Sequence, residues 1–301
     1  MIADVLIGVL LTCGFFFTGS YGINRENLDS YEEALSLQSY IDTIMNFQNF
    51  KLENYPVVFY QDGRDYVCYE GEVTSRKPVI GTMVGTAFFV DDRYEVFVPD
   101  IRDMALLAAA AGRDEGQLLQ IRTIWHEAFH AWQQTCFDDN LNSLVKDINF
   151  ESQEAEELMR DIDSNEAYRI WFTREIELLN QALEPALDPA DRKAVLANWQ
   201  NHQNDYDKLG LSDKQQRLID YYQLAEGSAF YVESRIYLEL AEEIAYNEWY
   251  GVTPFNYTNG TMKYYQCGML KCLLLDELTP DWQSDFDCSR TMTDYLKTVT
   301  E

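Results

Sequence analysis

The sequence predicts an α+β fold, with a small N-terminal β-sheet, a central helix and a mainly helical C-terminal lobe. Strand-like segments separated by turns dominate before residue 100, and helical periodicity dominates after it. In addition, one strongly apolar helix carries three polar side chains within residues 126–130. We therefore expect a single domain over residues 21–301, with a β-rich lobe over 21–137 and a helical lobe over 138–301.

Two hairpins are predicted in the N-terminal part, after a helix over residues 30–47. Their strands are rich in β-branched and aromatic residues and cover 56–60, 64–69, 79–90 and 94–98. Asp62-Gly63 separates the first pair and strongly favours a tight hairpin turn. Asp91-Asp92 separates the second pair. These hairpins supply the strands of the predicted sheet.

Helical signals follow from residue 103 onward. The predicted helices cover 104–111, 115–137, 151–182, a segment between Pro189 and Gly210, 212–249 and 263–278. Asp103 caps the first helix and Gly112 ends it. Asp114 with Gln117 forms a capping box for the second helix, and Ser212 opens the long helix that ends near Trp249. This succession predicts the helical C-terminal lobe.

The charge of the chain restricts its partners. The formal net charge is −28, from 23 basic and 51 acidic residues. Nucleic acids and anionic membrane surfaces both need a basic footprint, so neither is expected as a partner. The acidic residues form either a simple solvated surface or a field that disfavours acidic substrates.

The N-terminal residues contain an apolar stretch over 2–17, followed by Thr18-Gly19-Ser20. This composition is typical of a secretory signal or an anchor, although Asp4 interrupts it and no basic residue precedes it. It is short for a membrane span. Residues 1–20 are therefore either a signal or anchor, which favours a secreted or cell-surface protein, or an ordinary buried segment of a cytoplasmic one.

The six cysteines carry no recognisable site. None forms a C-x-x-C pair, so neither a zinc ribbon nor a thioredoxin-type motif is indicated. One or two disulfides are compatible with the sequence, which does not impose them.

The helix predicted over residues 115–137 is apolar around most of its circumference, which is typical of a buried helix. His126, Glu127 and His130 lie inside this apolar run. Burying three polar side chains is costly unless each has a partner. A divalent metal ion is a partner that suits them.

The spacing within residues 126–130 fits a catalytic zinc site. Residues four apart project from one helical face, so His126 and His130 can reach one ion. Glu127 lies beside them and can reach a water on the metal. A zinc hydrolase needs protein ligands, an open coordination position and a carboxylate base, and the H-E-x-x-H pattern supplies two ligands and the base. We therefore predict one Zn²⁺ ion with Glu127 as the catalytic residue.

A catalytic zinc ion has three protein ligands, so one more is expected. Glu226 is the first candidate, because the adjacent Gly227 is unfavourable inside a helix and indicates a close backbone approach. A helix that crosses the His126/His130 helix would need such an approach. Glu233, two turns later, is either an alternative ligand or an acceptor that orients a ligating histidine.

Other residues are weaker candidates. Cys136 stands where metzincins have their third histidine, but Gln133 replaces the glycine that turns the chain there. His202 lies in a polar helical segment and is expected at the surface. An oxyanion would need a donor besides zinc. The candidate donors are Tyr231, Tyr264 and Tyr265.

With these residues the chain resembles the gluzincin zinc metallopeptidases, in which a glutamate from a later helix completes an H-E-x-x-H motif. The resemblance is carried by His126, Glu127, His130 and Glu226, and the surrounding segments are similar to bacterial peptidases of unassigned substrate. It implies a zincin-like fold, with a twisted sheet beside the active-site helix and a helical lobe behind. The chain departs from thermolysin-like enzymes, because Glu226 lies 96 residues after His130 and Phe230 replaces an aspartate.

The expected activity is zinc-dependent hydrolysis of peptide bonds through a metal-activated water, with a peptide or protein as substrate. One strand of the 79–98 hairpin could pair with that substrate. One alternative is a zinc hydrolase of a non-peptide amide or ester. Another is a catalytically inactive zincin-like binding protein, against which the intact Glu127 argues. A structural metal site would need a fourth protein ligand.

Overall fold

The computed structural model describes residues 22–300 except 82–83, 111–114, 151, 242 and 252–253. The signal or anchor predicted over residues 1–20 therefore lies outside the described residues. Among the helices of the described part, none combines the length and the apolar character that a membrane span requires.

The protein has an α+β fold whose N-terminal part contains a five-stranded sheet. Its strands are β1 (Val57–Gln61), β2 (Arg64–Tyr69), β3 (Glu72–Arg76), β4 (Thr86–Val90) and β5 (Arg93–Pro99). They lie in the order β3-β2-β1-β5-β4. β1 and β5 are parallel, and the other neighbours are antiparallel. β3 and β4 are therefore the two edges of the sheet.

Both predicted hairpins form. Asp62 and Gly63 have φ values of 50° and 78°, as the predicted tight turn requires. The second hairpin is shorter than the predicted 79–90 strand, because only residues 86–90 join the sheet. Before them, the Val79 amide donates to Asp65 Oδ2 at 3.0 Å instead of to a neighbouring strand. β3 was not predicted, since it is exposed along most of its length and has no apolar alternation.

The helix Gly116–Val145 packs against β4 and β5, and the elements that follow it along the chain are helical. The helices are α1 (Arg25–Ser36), α2 (Gln38–Ile44), α3 (Ile101–Ala110), α4 (Gly116–Val145), α5 (Glu154–Ser164), α6 (Glu166–Ala182), α7 (Pro189–Gln203), α8 (Asp213–Tyr221), α9 (Gly227–Leu240), α10 (Glu243–Tyr250), α11 (Met262–Leu278) and α12 (Met292–Thr300). Short 3₁₀ turns occur at Leu52–Asn54, Tyr206–Leu209 and Trp282–Asp285.

Several helices begin or end at residues other than the predicted ones, and capping side chains explain some of these differences. The predicted 30–47 helix begins earlier, because the Asn24 side chain accepts from Glu26 N, and it is divided into α1 and α2. α3 is capped by Asp100, whose Oδ1 accepts from Arg102 N at 2.9 Å, and not by Asp103. Gly112 and Asp114 lie outside the described residues. α4 has no side-chain cap at Glu115.

Polar residues also divide the long predicted helices. The predicted 151–182 helix is interrupted at Asn165, whose side chain caps α6 through Tyr168 N. Ser212 forms the predicted capping box, with Gln215 as its partner. The helix that it opens stops at Leu240 instead of Trp249, and α10 follows.

A single turn of π-helix, Tyr222–Glu226, connects α8 to α9. Immediately after it, a Cβ on Gly227 would lie 2.5 Å from Gly268 Cα, so the backbones of α9 and α11 are in contact there. The close approach predicted at Gly227 is therefore present, but its partner is α11 and not the His126/His130 helix. π-turns are frequent at functional sites, and Glu226 is the last residue of this one.

Candidate metal centre

Helix α4 carries the first three site residues through the middle of the core. Trp125, Ala128, Phe129 and Trp132 are completely buried, which explains the apolar pattern that predicted the helix. His126 and Glu127 are each only 9% exposed. The helix bends at Phe137, where φ and ψ are −138° and 23°. The predicted end at residue 137 thus coincides with this kink.

Glu226 meets the two histidines across the interface of α4 with the π-turn. His126 Nε2 and His130 Nε2 lie 3.1 Å apart. Glu226 Oε2 lies 3.1 Å from His130 Nε2 and 3.4 Å from His126 Nε2. Ligands of a tetrahedral zinc ion, about 2.1 Å from the metal, lie about 3.4 Å from each other. The three atoms therefore form a triangle of the size that one zinc ion requires.

The side chain of Gln133 fixes the tautomer of His130. Gln133 Nε2 donates to the carbonyl of Ala225 at 3.3 Å and to Ser228 Oγ at 3.0 Å, which turns Oε1 towards His130. His130 Nδ1 lies 2.9 Å from this oxygen, so it must carry the proton. The lone pair of His130 is consequently on Nε2, in the triangle.

A carboxylate has the same effect on His126. Glu233 Oε2 lies 2.9 Å from His126 Nδ1, in an electrostatic contact whose geometry is not that of a straight hydrogen bond. Tyr250 donates to Glu233 Oε1 at 2.7 Å, and the Arg122 guanidinium lies 3.5 Å from the same oxygen. The proton of His126 is therefore on Nδ1, and its Nε2 lone pair also enters the triangle.

Two lone pairs and a carboxylate thus converge on one point, an arrangement that favours a cation. Burial opposes ionisation of Glu226, yet the two histidines hold its pKa well below the ordinary value. Burial lowers the pKa of His126, but Glu226 and Glu233 outweigh it and leave that pKa raised, so these carboxylates attract a positive charge to Nε2, either a proton or a metal ion that replaces it. Among the described residues, His126, His130 and Glu226 are the one group found whose ligand atoms lie close enough together to hold a metal ion. Their donor set fits zinc.

Glu127 lies at the side of the site that faces the edge of the sheet. A Cβ on Gly85, directly before β4, would lie 2.8 Å from Glu127 Oε1. Any larger residue at position 85 would displace the side chains of Thr123 or Glu127, so glycine here lets the chain pass close to this carboxylate. Burial raises the pKa of Glu127, while His126 and His130 oppose that shift.

The three candidate oxyanion donors lie in different places. The Tyr265 ring stacks on His126, with centroids 6.4 Å apart, and burial and Glu226 raise the pKa of its hydroxyl. Tyr231 instead donates to Asp276 Oδ2 at 2.7 Å. Tyr264 stacks on Tyr222 and is completely buried. Of the three, Tyr265 is the one beside the metal-binding side chains.

The remaining candidates lie outside the cluster. Cys136 is exposed and belongs to no metal-binding group. The His202 ring stacks on Trp171, with centroids 4.7 Å apart, and its Nε2 lies 2.9 Å from the Trp171 carbonyl. His202 is thus partly exposed and outside the cluster, and contacts with Trp171 hold its ring in place. Cysteines 68, 136, 267, 272 and 288 are free, so none of the allowed disulfides forms among them.

Sequence reasoning missed three residues that hold the histidines: Arg122, Gln133 and Tyr250. Arg122 lies four residues before His126, and Gln133 three residues after His130, so helical spacing could have identified both. Tyr250 comes from α10, and nothing in its local sequence connects it with Glu233.

Comparison of the chain with protein-family models, with curated proteins and with solved structures finds no significant match.

Proposed function

We propose that this protein is a zinc metallopeptidase with a zincin-like fold. In this proposal His126, His130 and Glu226 hold one zinc ion, and Glu127 is the catalytic base. The observation that carries the proposal is the convergence of two imidazole lone pairs and one carboxylate beside a second carboxylate. Two histidines and a glutamate are a ligand set of catalytic zinc sites, which keep one coordination position open.

When bound, zinc supplies Lewis acidity that lowers the pKa of water and polarises a carbonyl group. Glu127 accepts the proton of the attacking water and transfers it to the leaving nitrogen, as general base and then general acid. Tyr265 is the donor for the oxygen on which negative charge develops. Glu233 and Gln133 keep both imidazoles in the ligating tautomer throughout.

The edge of the sheet favours a peptide over other amides and esters. β4 pairs with β5 on one side and is the terminal strand of the sheet on the other. An extended peptide can add to such an edge through backbone hydrogen bonds. Because Gly85 brings the beginning of β4 against Glu127, a peptide on this edge passes the catalytic carboxylate.

Metal content and hydrolysis test the two halves of the proposal separately. We expect about one zinc ion per chain in the purified protein, retained in Glu127→Gln and lost in Glu226→Ala. Glu127→Gln should reduce hydrolysis of fluorogenic peptides by about 100-fold or more. Glu184→Ala, at an exposed glutamate, is the matched control and should retain both properties.

Two outcomes would contradict the assignment. Undiminished zinc in Glu226→Ala would remove Glu226 as a ligand, and full activity of Glu127→Gln would remove Glu127 as the base. The same assays on non-peptide amides and esters decide the substrate class: turnover of these alone would replace the peptidase by the alternative hydrolase.

A further inference from the structure

A groove of about 670 Å³ lies between the β4–β5 hairpin and the part of α4 that follows His130. Its aromatic lining consists of the exposed Phe89, the partly exposed Tyr94 and the buried Tyr55 and Trp132, and two carboxylates in the lining are Asp92 and Asp138. None of these side chains has a role in the proposed metal centre. The groove is therefore a separate feature that the proposed mechanism leaves unexplained.

The groove continues the path of the sheet edge away from Glu127. Gly85, directly before β4, lies next to Glu127, and β4 reaches the groove at Phe89. Strand residues rise about 3.3 Å each, so Phe89 lies about 13 Å farther along the edge. On α4, Gln134 lines the groove one turn after His130. A peptide paired with β4 would place a side chain here three or four residues from the bond at Glu127.

The floor of the groove contains an aromatic side chain that the protein itself does not cover. Phe89 lies two residues after Ala87 in β4, so the two side chains project from the same face of the sheet. Ala87 packs against the core on that face. Phe89 is nevertheless 52% exposed, and its ring contacts Tyr94 with centroids 5.1 Å apart. A large apolar surface is therefore left for a ligand to cover.

The charge of the groove selects the kind of ligand. Asp92 and Asp138 are exposed, and within the part of the chain that the structure describes neither forms an ion pair. The one basic residue among those that line the groove is Arg93, and its guanidinium lies over the Tyr69 ring at 4.5 Å. The net charge of −28 adds a long-range attraction for cations.

We infer that this groove is a specificity subsite for an arginine or lysine side chain of the substrate, three or four residues from the scissile bond. The inference rests on the proposed peptidase function. The aliphatic stem covers Phe89 and Tyr94, and the cationic head reaches Asp92 and Asp138. The substrates are therefore basic peptides.

Peptide binding to the full-length Glu127→Gln protein tests the inference without turnover. Arginine, citrulline and norleucine are placed in turn at each position of one otherwise neutral peptide, and Kd is measured by calorimetry. At one position arginine should bind about tenfold more tightly than citrulline. Asp92→Asn combined with Asp138→Asn should reduce that ratio to about twofold or less, and Phe89→Ser should weaken both arginine and norleucine peptides.

The matched control combines Asp161→Asn with Asp207→Asn, which removes the same charge at exposed residues outside the groove and should leave the ratio unchanged. Equal Kd values for arginine and citrulline at every position, or no binding up to millimolar peptide, would overturn the inference. Arginine-selective binding without cleavage by the wild-type zinc-loaded protein would refute the peptidase proposal while retaining the subsite.

Discussion

Two clusters in this molecule bury a cation against a glutamate, and they contact different parts of the proposed metal centre. In the Arg122 cluster, Arg122 lies 3.5 Å from Glu233, which contacts the His126 imidazole. In the Lys271 cluster, Lys271 Nζ lies 2.9 Å from Glu175 and 2.5 Å from Gln223 Oε1. The first cluster ends on His126, a proposed ligand, and the second ends on the π-turn that carries Glu226.

The partners of the two cations differ accordingly. Arg122 lies 3.9 Å from the centroid of the Trp249 ring and donates to the Tyr250 hydroxyl. Lys271 instead donates to small polar side chains, including Thr293 Oγ1 at 2.8 Å on α12. Guanidinium groups are weakly hydrated and stack on aromatic rings, whereas an ammonium group needs compact acceptors.

This comparison separates two requirements of a metal site. One is the orientation and basicity of a ligand, which a carboxylate on the distal imidazole nitrogen provides. The other is the shape of the backbone that delivers a ligand, which the Lys271 cluster stabilises by joining α6, α11, α12 and the π-turn. We therefore expect changes in the Arg122 cluster to alter metal affinity, and changes in the Lys271 cluster to alter stability.

The largest effect on stability is expected from Lys271→Met. Lys271 and Glu175 are 0% and 1% exposed, so the substitution leaves a buried carboxylate with Gln203 as its remaining partner. Loss of one partner of a buried ion pair costs about 3–5 kcal/mol. Urea unfolding should show this decrease, while the zinc content of the folded variant remains about one ion per chain.

The double variant Lys271→Met/Glu175→Leu controls for loss of packing. Because it removes both charges, it should recover most of the free energy of unfolding that the single variant loses. A single variant as stable as wild type, or a double variant no better than the single one, would show that the Lys271 cluster does not stabilise this lobe through charge.

The next effect in size is on metal affinity, in Glu233→Gln. The substitution retains a side chain that can accept from His126 but removes its negative charge, so the imidazole becomes a weaker ligand. Loss of such a partner reduces metal affinity by roughly 10- to 100-fold. Competition with a chelator measures the zinc Kd of the folded variant.

Glu115→Gln is the matched control for this measurement. Glu115 also accepts a hydrogen bond from a tyrosine, Tyr237, at 2.7 Å, but it contacts no ligating histidine. Its zinc Kd should equal that of wild type. If the zinc Kd of Glu233→Gln also equals that of wild type, the Arg122 cluster does not control metal affinity, and the proposed difference between the two clusters is wrong.

The sequence was most informative where one segment specified its own structure. The H-E-x-x-H helix could be located because its long apolar run is visible in the local sequence alone. The first hairpin could be located because Asp62-Gly63 strongly favours a tight turn. The coarse α+β class follows from such local signals. Glu226 was selected through Gly227, although the glycine packs against Gly268 and not against α4. That reasoning identified a residue of the cluster through an incorrect contact.

The features that sequence reasoning missed depend on tertiary partners. β3 has no apolar alternation because the edge strand is exposed. The π-turn replaces what reads as uninterrupted helix, since its residues have ordinary helical character. Tyr250 meets Glu233 only because α10 folds back against α9 and α4. Local propensity contains no information about such contacts.

The smallest expected effect is a pH-dependent one at Asp220, beside the Lys271 cluster. Burial raises the pKa of Asp220 to about 7, Lys271 opposes this shift, and Asp294 and Glu175 add to it, with Lys297 opposing. Because the folded pKa exceeds the unfolded value of about 3.9, the native state binds the proton more tightly between about pH 4 and pH 7. The stability that this proton provides is therefore present at low pH and is lost as pH rises through 7.

Asp220→Asn removes this dependence. We expect its free energy of unfolding, relative to wild type, to increase between pH 5 and pH 8 by on the order of 1 kcal/mol, since partial solvent contact at Asp220 reduces the full linkage effect. Urea titrations at both pH values measure the difference, with Asp161→Asn as the exposed control. A pH-independent difference would mean that Asp220 does not change its protonation state between pH 5 and pH 8, and that the Lys271 cluster, like the Arg122 cluster, contains no group that titrates in this range.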